Sequence, residues 1–445
     1  MHDNLALTAL AERATAWLPL FVIDSAIVAR STRNTPRARF LFDCLARLDH
    51  VLSAKGFALQ VLEGNPQKLL PELMARTGAS VVSWNNASTP LGRRRDSKVA
   101  SAIARAGGQI IQLDDHTVFG PEEVKTRTGG SYSVYTPYRN EWWKTWERAP
   151  RLSPARSRYP KMPIPKVRMR AERNSVLSSR GEDGTRLPRG GEESARRRLR
   201  EFLSRPAARY HLDRDRPDVD GTSRLSPYLR FGAISARRCF TEGLRKIESD
   251  PNTRIGISKW LDELIWREFY NAVLVNNPHV LSGAFRVEYD DLSWSGRETH
   301  FQAWCEGRTG YPIVDAGMRQ LRATGWMHNR VRMIAASFLT KDLLIDWRRG
   351  ERFFFDSLVD GDPASNNGGW QWSASTGTDA QPYFRIFNPT TQGKKFDPEG
   401  DNVRRWGPEL RSVDRKWTHE PWMVPHPRAE IVGPIAALPV PLSMA

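Results

Sequence analysis

The chain has 445 residues, too many for one ordinary domain and enough for two that each close a core. Its 67 Lys and Arg outweigh 50 Asp and Glu, and the resulting charge of +17 suits a surface that binds a polyanion. The longest early apolar run, 17–23, is too short to cross a membrane and has no basic segment before it, while Cys44, Cys239 and Cys305 are scattered without CxxC spacing. Secretion, a disulfide framework and a zinc site are thereby excluded, so we expect a reduced, cytoplasmic protein with no metal and no membrane anchor.

Short apolar runs at 18–23, 58–63, 80–84 and 109–113 read as buried strands, and amphipathic stretches at 38–55, 66–77 and 95–106 as the helices between them. Strands alternating with helices imply a parallel α/β sheet, here assigned to residues 1–127. Residues 128–195 are assigned to a linker; from about 150 to 189 it is rich in Arg, Pro and Ser and has little periodicity. From 196 to 430 the pattern is helical. One helix is expected over 258–276, with Leu261, Leu264, Ile265 and Ala272 on one face, and another over 329–344, with Ile334, Phe338 and Leu339 inward. Residues 431–445 form a tail. The expected fold is therefore an α/β parallel-sheet domain followed by an all-α domain. Most of the 16 Trp lie from Trp260 onward; they suit a helical core, and, interleaved with Arg, also suit a site for a flat heterocycle.

Four stretches carry chemistry: DGTSRLSPYLRFGAIS (220–235), WLDELIWREFY (260–270), TGYPIVDAGMRQLRATGWMHNRVRM (309–333) and DGDPASNNGGWQWSASTGTDAQPYFRIFNP (360–389). In the first, Thr222, Ser223 and Ser226 offer hydroxyls, and Pro227 suits the first turn of a helix; the group is either a helix cap or, with Arg224, a place for a pyrophosphate. In the second, Glu263 and Arg267 stand four apart, the spacing of an ordinary helix-surface ion pair. Asn329 can cap a helix that carries Arg330, Arg332 and Met333, and Asp360 and Asp362 could be solvated loop acids.

Together, over nearly all of 196–425, these stretches resemble the flavin domain of class I cyclobutane pyrimidine dimer photolyases. The resemblance implies light-dependent repair of pyrimidine dimers in DNA by electron transfer from photoexcited reduced FAD, by a protein expected to be a monomer; a cryptochrome-like photoreceptor without repair is the alternative. It places Tyr210, Thr222, Ser223, Arg224, Leu225, Ser226, Trp260, Glu263, Asn329, Arg332, Asp360, Gly361, Asp362 and Asn366 against FAD. It gives Glu263 to the damaged base and sets Asn366 opposite flavin N5, where an amide can donate or accept. Trp266 and Trp372 are implied as walls for a flipped-out dimer, Met333 lies against it, and Arg267, Arg330 and Arg385 contact DNA. Trp294, Trp347 and Trp370 match an electron relay, although spacing alone would make them core residues. His328 is read as structural.

His2, Asp3, Asn4 and Leu5 resemble a stretch that in relatives follows the first strand, so an upstream start codon is expected. At 85–96, NNASTPLGRRRD lacks the glutamate of folate-binding members and is closer to the deazaflavin pattern; the second, antenna chromophore is left unnamed, and there is either such a group or none.

Overall fold

The computed structural model describes residues 2–25, 35–154, 158–170, 185–380, 382 and 384–425. The expected tail, 431–445, lies outside them, as do 155–157 and 171–184 of the expected linker. The chain divides into two compact units: Met1–Glu182, Pro188–Ser204 and Ser223–Pro278 form the first, and Asp183–Leu187, Arg205–Thr222 and His279–Ala445 the second.

In the first unit each sheet helix starts on a capping residue followed by proline. Thr35 accepts from Ala38 N ahead of α2 (Pro36–Ser53), Asn65 from Gln67 N ahead of α3 (Pro66–Thr77), and Thr89 from Gly92 N ahead of α4 (Pro90–Arg105). The cap takes one orphan amide and proline's fixed φ suits the first turn, so α4 begins five residues before the position that apolar periodicity suggested. A short α1 (Leu5–Ala11) precedes them. The strands pair in parallel: β1 (Ala16–Trp17) with β6 (Met162–Pro163), β2 (Leu20–Asp24) with β3 (Gln60–Gly64), and β4 (Val81–Asn85) with β5 (Gln109–Leu113). The expected α/β architecture is present, with Leu70, Met74, Val99 and Ile103 of the helices buried against strand residues Val22, Val82 and Ile110.

The 128–195 stretch contains α5 (Tyr135–Arg148), whose buried side is aromatic: Tyr135, Tyr138, Trp142 and Trp146. The unit continues with α6 (Glu192–Ser204), α7 (Ser226–Arg230), α8 (Ala236–Ser249) and the 23-residue α9 (Arg254–Asn276). The expected face of α9, Leu261, Leu264, Ile265 and Ala272, is buried, and so are Ile257 and Phe269, because the helix has neighbours on several sides. Glu268 is buried on α9 and accepts from Val118 N, Phe119 N and Trp142 Nε1 at 2.9, 2.9 and 2.7 Å. Burial pushes its carboxyl up to about 7, against the pull of those donors.

The second unit is helical: α10 (Glu298–Glu306), α11 (Pro312–Thr324), α12 (Asn329–Ser337), α13 (Trp347–Ser357), α14 (Pro363–Ala374), α15 (Pro389–Phe396) and α16 (Asp401–Trp406). They close on one core containing Trp304, Phe338, Leu339, Trp347, Phe354 and Trp370. The helix expected over 329–344 is α-helical only to Ser337; Phe338–Asp342 is a π turn, with Leu343 N donating to Phe338 O. Side-chain periodicity barely registers that change of backbone register, and Ile334, Phe338 and Leu339 are buried as expected.

Candidate active site

On the first unit, Ser223, Arg224, Leu225 and Ser226 lead into α7. Arg224 takes a left-handed φ of 49°, Leu225 is buried, and Arg198 Nε donates to Ser223 O at 2.9 Å. Leu225 is the N-cap residue and its side chain makes no cap bond. On α9, Trp260 is buried, with Phe202 at 5.0 Å. Glu263, Trp266 and Arg267 share one helix face at i, i+3 and i+4, all half-buried. The Arg267 guanidinium is turned to the preceding loop, donating to His116 O at 2.7 Å, meeting the His116 ring, and reaching Leu229 O at 3.3 Å. Trp266 is stacked on Tyr135, centroids 3.6 Å apart and planes within 8°.

On the second unit, Tyr210 is buried with the Arg214 guanidinium 5.8 Å from its ring, and Thr222 is half-buried. The cap of α12 differs from the expectation: His328 Nδ1 accepts from Arg330 N at 3.2 Å, and Asn329 is the first helical residue, exposed, with Nδ2 3.8 Å from Met333 Sδ. Buried His328 thus does a structural task. Arg332 Nη2 is bound to both oxygens of buried Asp360 at 2.9 and 3.1 Å, and its Nε donates to Met327 O. Arg330 is paired with Asp215 at 2.9 Å and lies over the Phe396 ring at 4.4 Å. After buried Gly361, Asp362 caps α14 by accepting from Ala364 N and Ser365 N. Met333 and Trp372 are half-buried, Phe387 lying 6.5 Å from Trp372, and Arg385 is exposed between exposed Phe384 and Ile386.

α13 and α14 meet through two contacts that share the unit's chemistry. Asn366 Nδ2 donates to Glu351 O and Glu351 Oε1, both at 2.9 Å. Both partners are acceptors, so the amide must present its NH2 to them, which leaves Asn366 Oδ1 as an acceptor. One turn later Trp370 lies against Gly350, where a Cβ would stand 2.5 Å from Trp370 Cζ3. Trp347 and Trp370 are buried and Trp294 is half-buried against the same core. None of the three indole Nε1 atoms has a hydrogen-bond partner among the described residues.

Sequence reasoning missed Tyr135, Gly350, Glu351 and Trp304, whose ring lies 6.0 Å from Trp370. The aromatic spacing 135, 138, 142, 146 would have revealed α5 within the stretch taken as linker. The Gly350 and Glu351 contacts depend on how two helices cross and leave no local mark.

A further cleft of about 450 Å³ in the first unit lies beyond the carboxyl ends of β2, β3 and β4, at Asp24, Asn65 and Asn86, and is edged by Arg94, Arg95 and Lys98 of α4. Open parallel sheets bind ligands at this edge.

Residues 1–158 match the family model described as DNA photolyase, and residues 260–437 the one described as the FAD binding domain of DNA photolyase. Two relatives named deoxyribodipyrimidine photo-lyase are each 41% identical to the chain. That of Synechococcus sp. aligns over 94% of this chain and 87% of the relative, and that of Escherichia coli over 95% and 89%. Among solved structures, a bacterial class III photolyase from Agrobacterium tumefaciens is similar at a TM-score of 0.88 and 36% identity, covering 99% of this chain and 92% of that one. An archaeal photolyase from Sulfolobus tokodaii, described as holding two FAD molecules, gives 0.78 and 32%, covering 96% and 92%. The chain belongs to the DNA photolyase family.

Proposed function

We propose that the protein is a deoxyribodipyrimidine photo-lyase, which uses light and FAD to split cyclobutane pyrimidine dimers in DNA. The observation that carries this reading is the amide of Asn366, held by Glu351 with its oxygen free to accept, as a reduced flavin carrying hydrogen on N5 requires. The fit extends to the other residues. Arg332, fixed by Asp360 and Met327 O, keeps a positive charge at a set position for an anionic ring edge. Thr222, Ser223, Arg224, Leu225 and Ser226 at the start of α7 would take the phosphates, and Trp260, Glu263, Tyr210, Asn329, Gly361 and Asp362 would border the cofactor. When held by these residues in its reduced form, FAD would supply light-driven electron-transfer chemistry to the dimer.

The protein's own share is placement and exclusion of water. Trp266 and Trp372 give apolar faces for a flipped-out dimer, Met333 fills beside it, and Glu263 accepts from the damaged base. Arg385 is exposed to meet phosphate, whereas Arg330 must share its guanidinium with Asp215 to do so, and Arg267 steadies the neighbouring loop through His116. Trp294, Trp347 and Trp370 would reload oxidised flavin, with half-buried Trp294 as the outer member and Trp347 and Trp370 both buried in the core.

The cleft at Arg94, Arg95 and Lys98 would suit an anionic planar antenna of the deazaflavin or flavin kind, in keeping with the second FAD described for the Sulfolobus relative. No helix among the described residues is long and apolar enough to cross a membrane. A monomer in the cytoplasm remains our reading; that Cys44, Cys239 and Cys305 are all free suits a reducing compartment. Illuminating the reduced protein with a dimer-containing oligonucleotide should restore thymines. No restoration, with FAD and dimer both bound, would leave a photoreceptor without repair as the answer.

A further inference from the structure

Trp266 does not stand alone on α9. Tyr135, the first residue of α5, lies flat against one face of its indole, 3.6 Å away and within 8° of parallel. Aromatic pairs usually sit offset or edge-on at greater centroid separation, so this contact closes that face of the indole. Phe269 meets Trp266 nearly edge-on at 5.7 Å and Tyr270 lies tilted at 5.6 Å, so neither stacks flat on the opposite face.

Tyr135 is itself fixed. Its hydroxyl donates to Asp262 O at 2.8 Å, one turn before Trp266, and the Asp262 carboxylate receives Arg139 Nε at 2.6 Å. Farther along the two helices Trp142 donates to Glu268, and Tyr138 packs on Phe269 at 5.3 Å. Arg139, Tyr138 and Trp142 thus hold α5 against α9, and Phe269 meets the Tyr135 ring edge-on at 5.9 Å, so the ring stays in place on Trp266 with or without its hydroxyl bond. A half-buried indole with one free face would otherwise sample several rotamers, and a base arriving to stack would have to select one.

We propose that Tyr135 is a positioning residue for damage recognition: it acts as a fixed backstop that sets the plane of Trp266 and leaves one indole face for the flipped pyrimidine dimer. This rests on the photolyase reading of Trp266. Tyr135 touches neither dimer nor cofactor and acts through Trp266 alone, so its loss alters preference for damaged DNA and leaves general DNA affinity intact. The ring, and not the hydroxyl, carries the effect.

The test measures binding of matched oligonucleotides with and without one thymine dimer to the FAD-loaded full chain. It uses the parent, Tyr135→Phe, Tyr135→Leu, Trp266→Ala and the double variant Tyr135→Leu/Trp266→Ala. For Tyr135→Leu the ratio of the two affinities should fall about fivefold or more, the low end of what one base–aromatic stack contributes, with undamaged DNA bound as before. Tyr135→Phe should keep the parent ratio, and in the Trp266→Ala background Tyr135→Leu should change nothing further. The flavin absorbance of each variant reports that it has folded and loaded. Equal losses on both DNAs, an unchanged ratio in Tyr135→Leu, or an effect that persists without Trp266 each overturn the proposal. If the parent itself shows no preference for the dimer, it is the photolyase reading of Trp266 that fails.

Discussion

A methyl group added at Gly350 tests the coupling of α13 to Trp370, the residue proposed as inner member of the relay. It would come within 2.5 Å of Trp370 Cζ3 and of Leu339 Cδ2, and closer still to Trp370 Cη2, where carbons need about 3.5 Å. The Leu339 methyl can rotate away. The indole cannot move so easily, because Phe354 and Trp304 hold it edge-to-face at 5.0 and 6.0 Å. Overpacking of this kind costs about 1 to 3 kcal/mol, offset by the ~1 kcal/mol that alanine gains over glycine inside a helix, so Gly350→Ala should lose about 0 to 2 kcal/mol. Trp370→Phe deletes the two ring atoms in the way. The double variant should therefore lose less than the sum of the single changes, by about 1 kcal/mol, as touching residues do. Urea midpoints followed by circular dichroism measure this. Because the indole must shift, blue-light reduction of oxidised flavin with an external donor should slow in Gly350→Ala and nearly stop in Trp370→Phe. Dimer splitting by chemically reduced protein should stay near the parent rate in both. Strict additivity of the two stability losses would refute the argument.

Asp342 in the π turn has Oδ2 buried without a partner among the described residues, and burial pushes its carboxyl from the usual 3.8 up to about 7. Below about pH 4 both folded and unfolded forms are protonated and nothing is lost. As pH rises toward 7 the unfolded chain ionises first and stability falls, so above pH 7 Asp342→Asn should exceed the parent by on the order of 4 kcal/mol and match it at low pH in thermal melts. Asp360→Ala takes the carboxylate away from Arg332 and leaves it Met327 O, which should cost about 3 kcal/mol, seen as lower flavin content per mole of purified protein. Arg385→Ala should reduce the slope of log affinity against log salt by ~0.9 on damaged and undamaged DNA alike. Arg330→Ala should reduce it less, because Asp215 already neutralises that charge.

Local rules made much of this protein legible. The alternation of apolar runs with cap-and-proline helix starts specifies parallel strands, since each strand must be followed by a crossover helix, and β3, β4 and β5 lie within two residues of where the runs placed them. The candidate site residues were legible for a different reason. They sit in long ordered stretches, and α9, α12 and α14 then put Glu263 beside Trp266, Asn329 beside Met333 and Asn366 beside Trp370 by helical spacing alone.

What the sequence could not show were the partners supplied by other elements. Four-residue spacing suggested an ion pair between Glu263 and Arg267, and the fold brings His116 O and Leu229 O to the guanidinium. Arg330 read as a DNA contact, and Asp215, more than a hundred residues away in sequence, reaches it. Asn366 read as an amide of either polarity until Glu351 supplied two acceptors and fixed which atom is left over. Trp266 read as a wall for the dimer, and Tyr135, from a segment taken as linker, lies flat on one of its faces. A sequence determines which groups a segment can present, because propensity and periodicity act over a few residues. Which of those groups are already spent on a neighbour is decided only when distant helices pack.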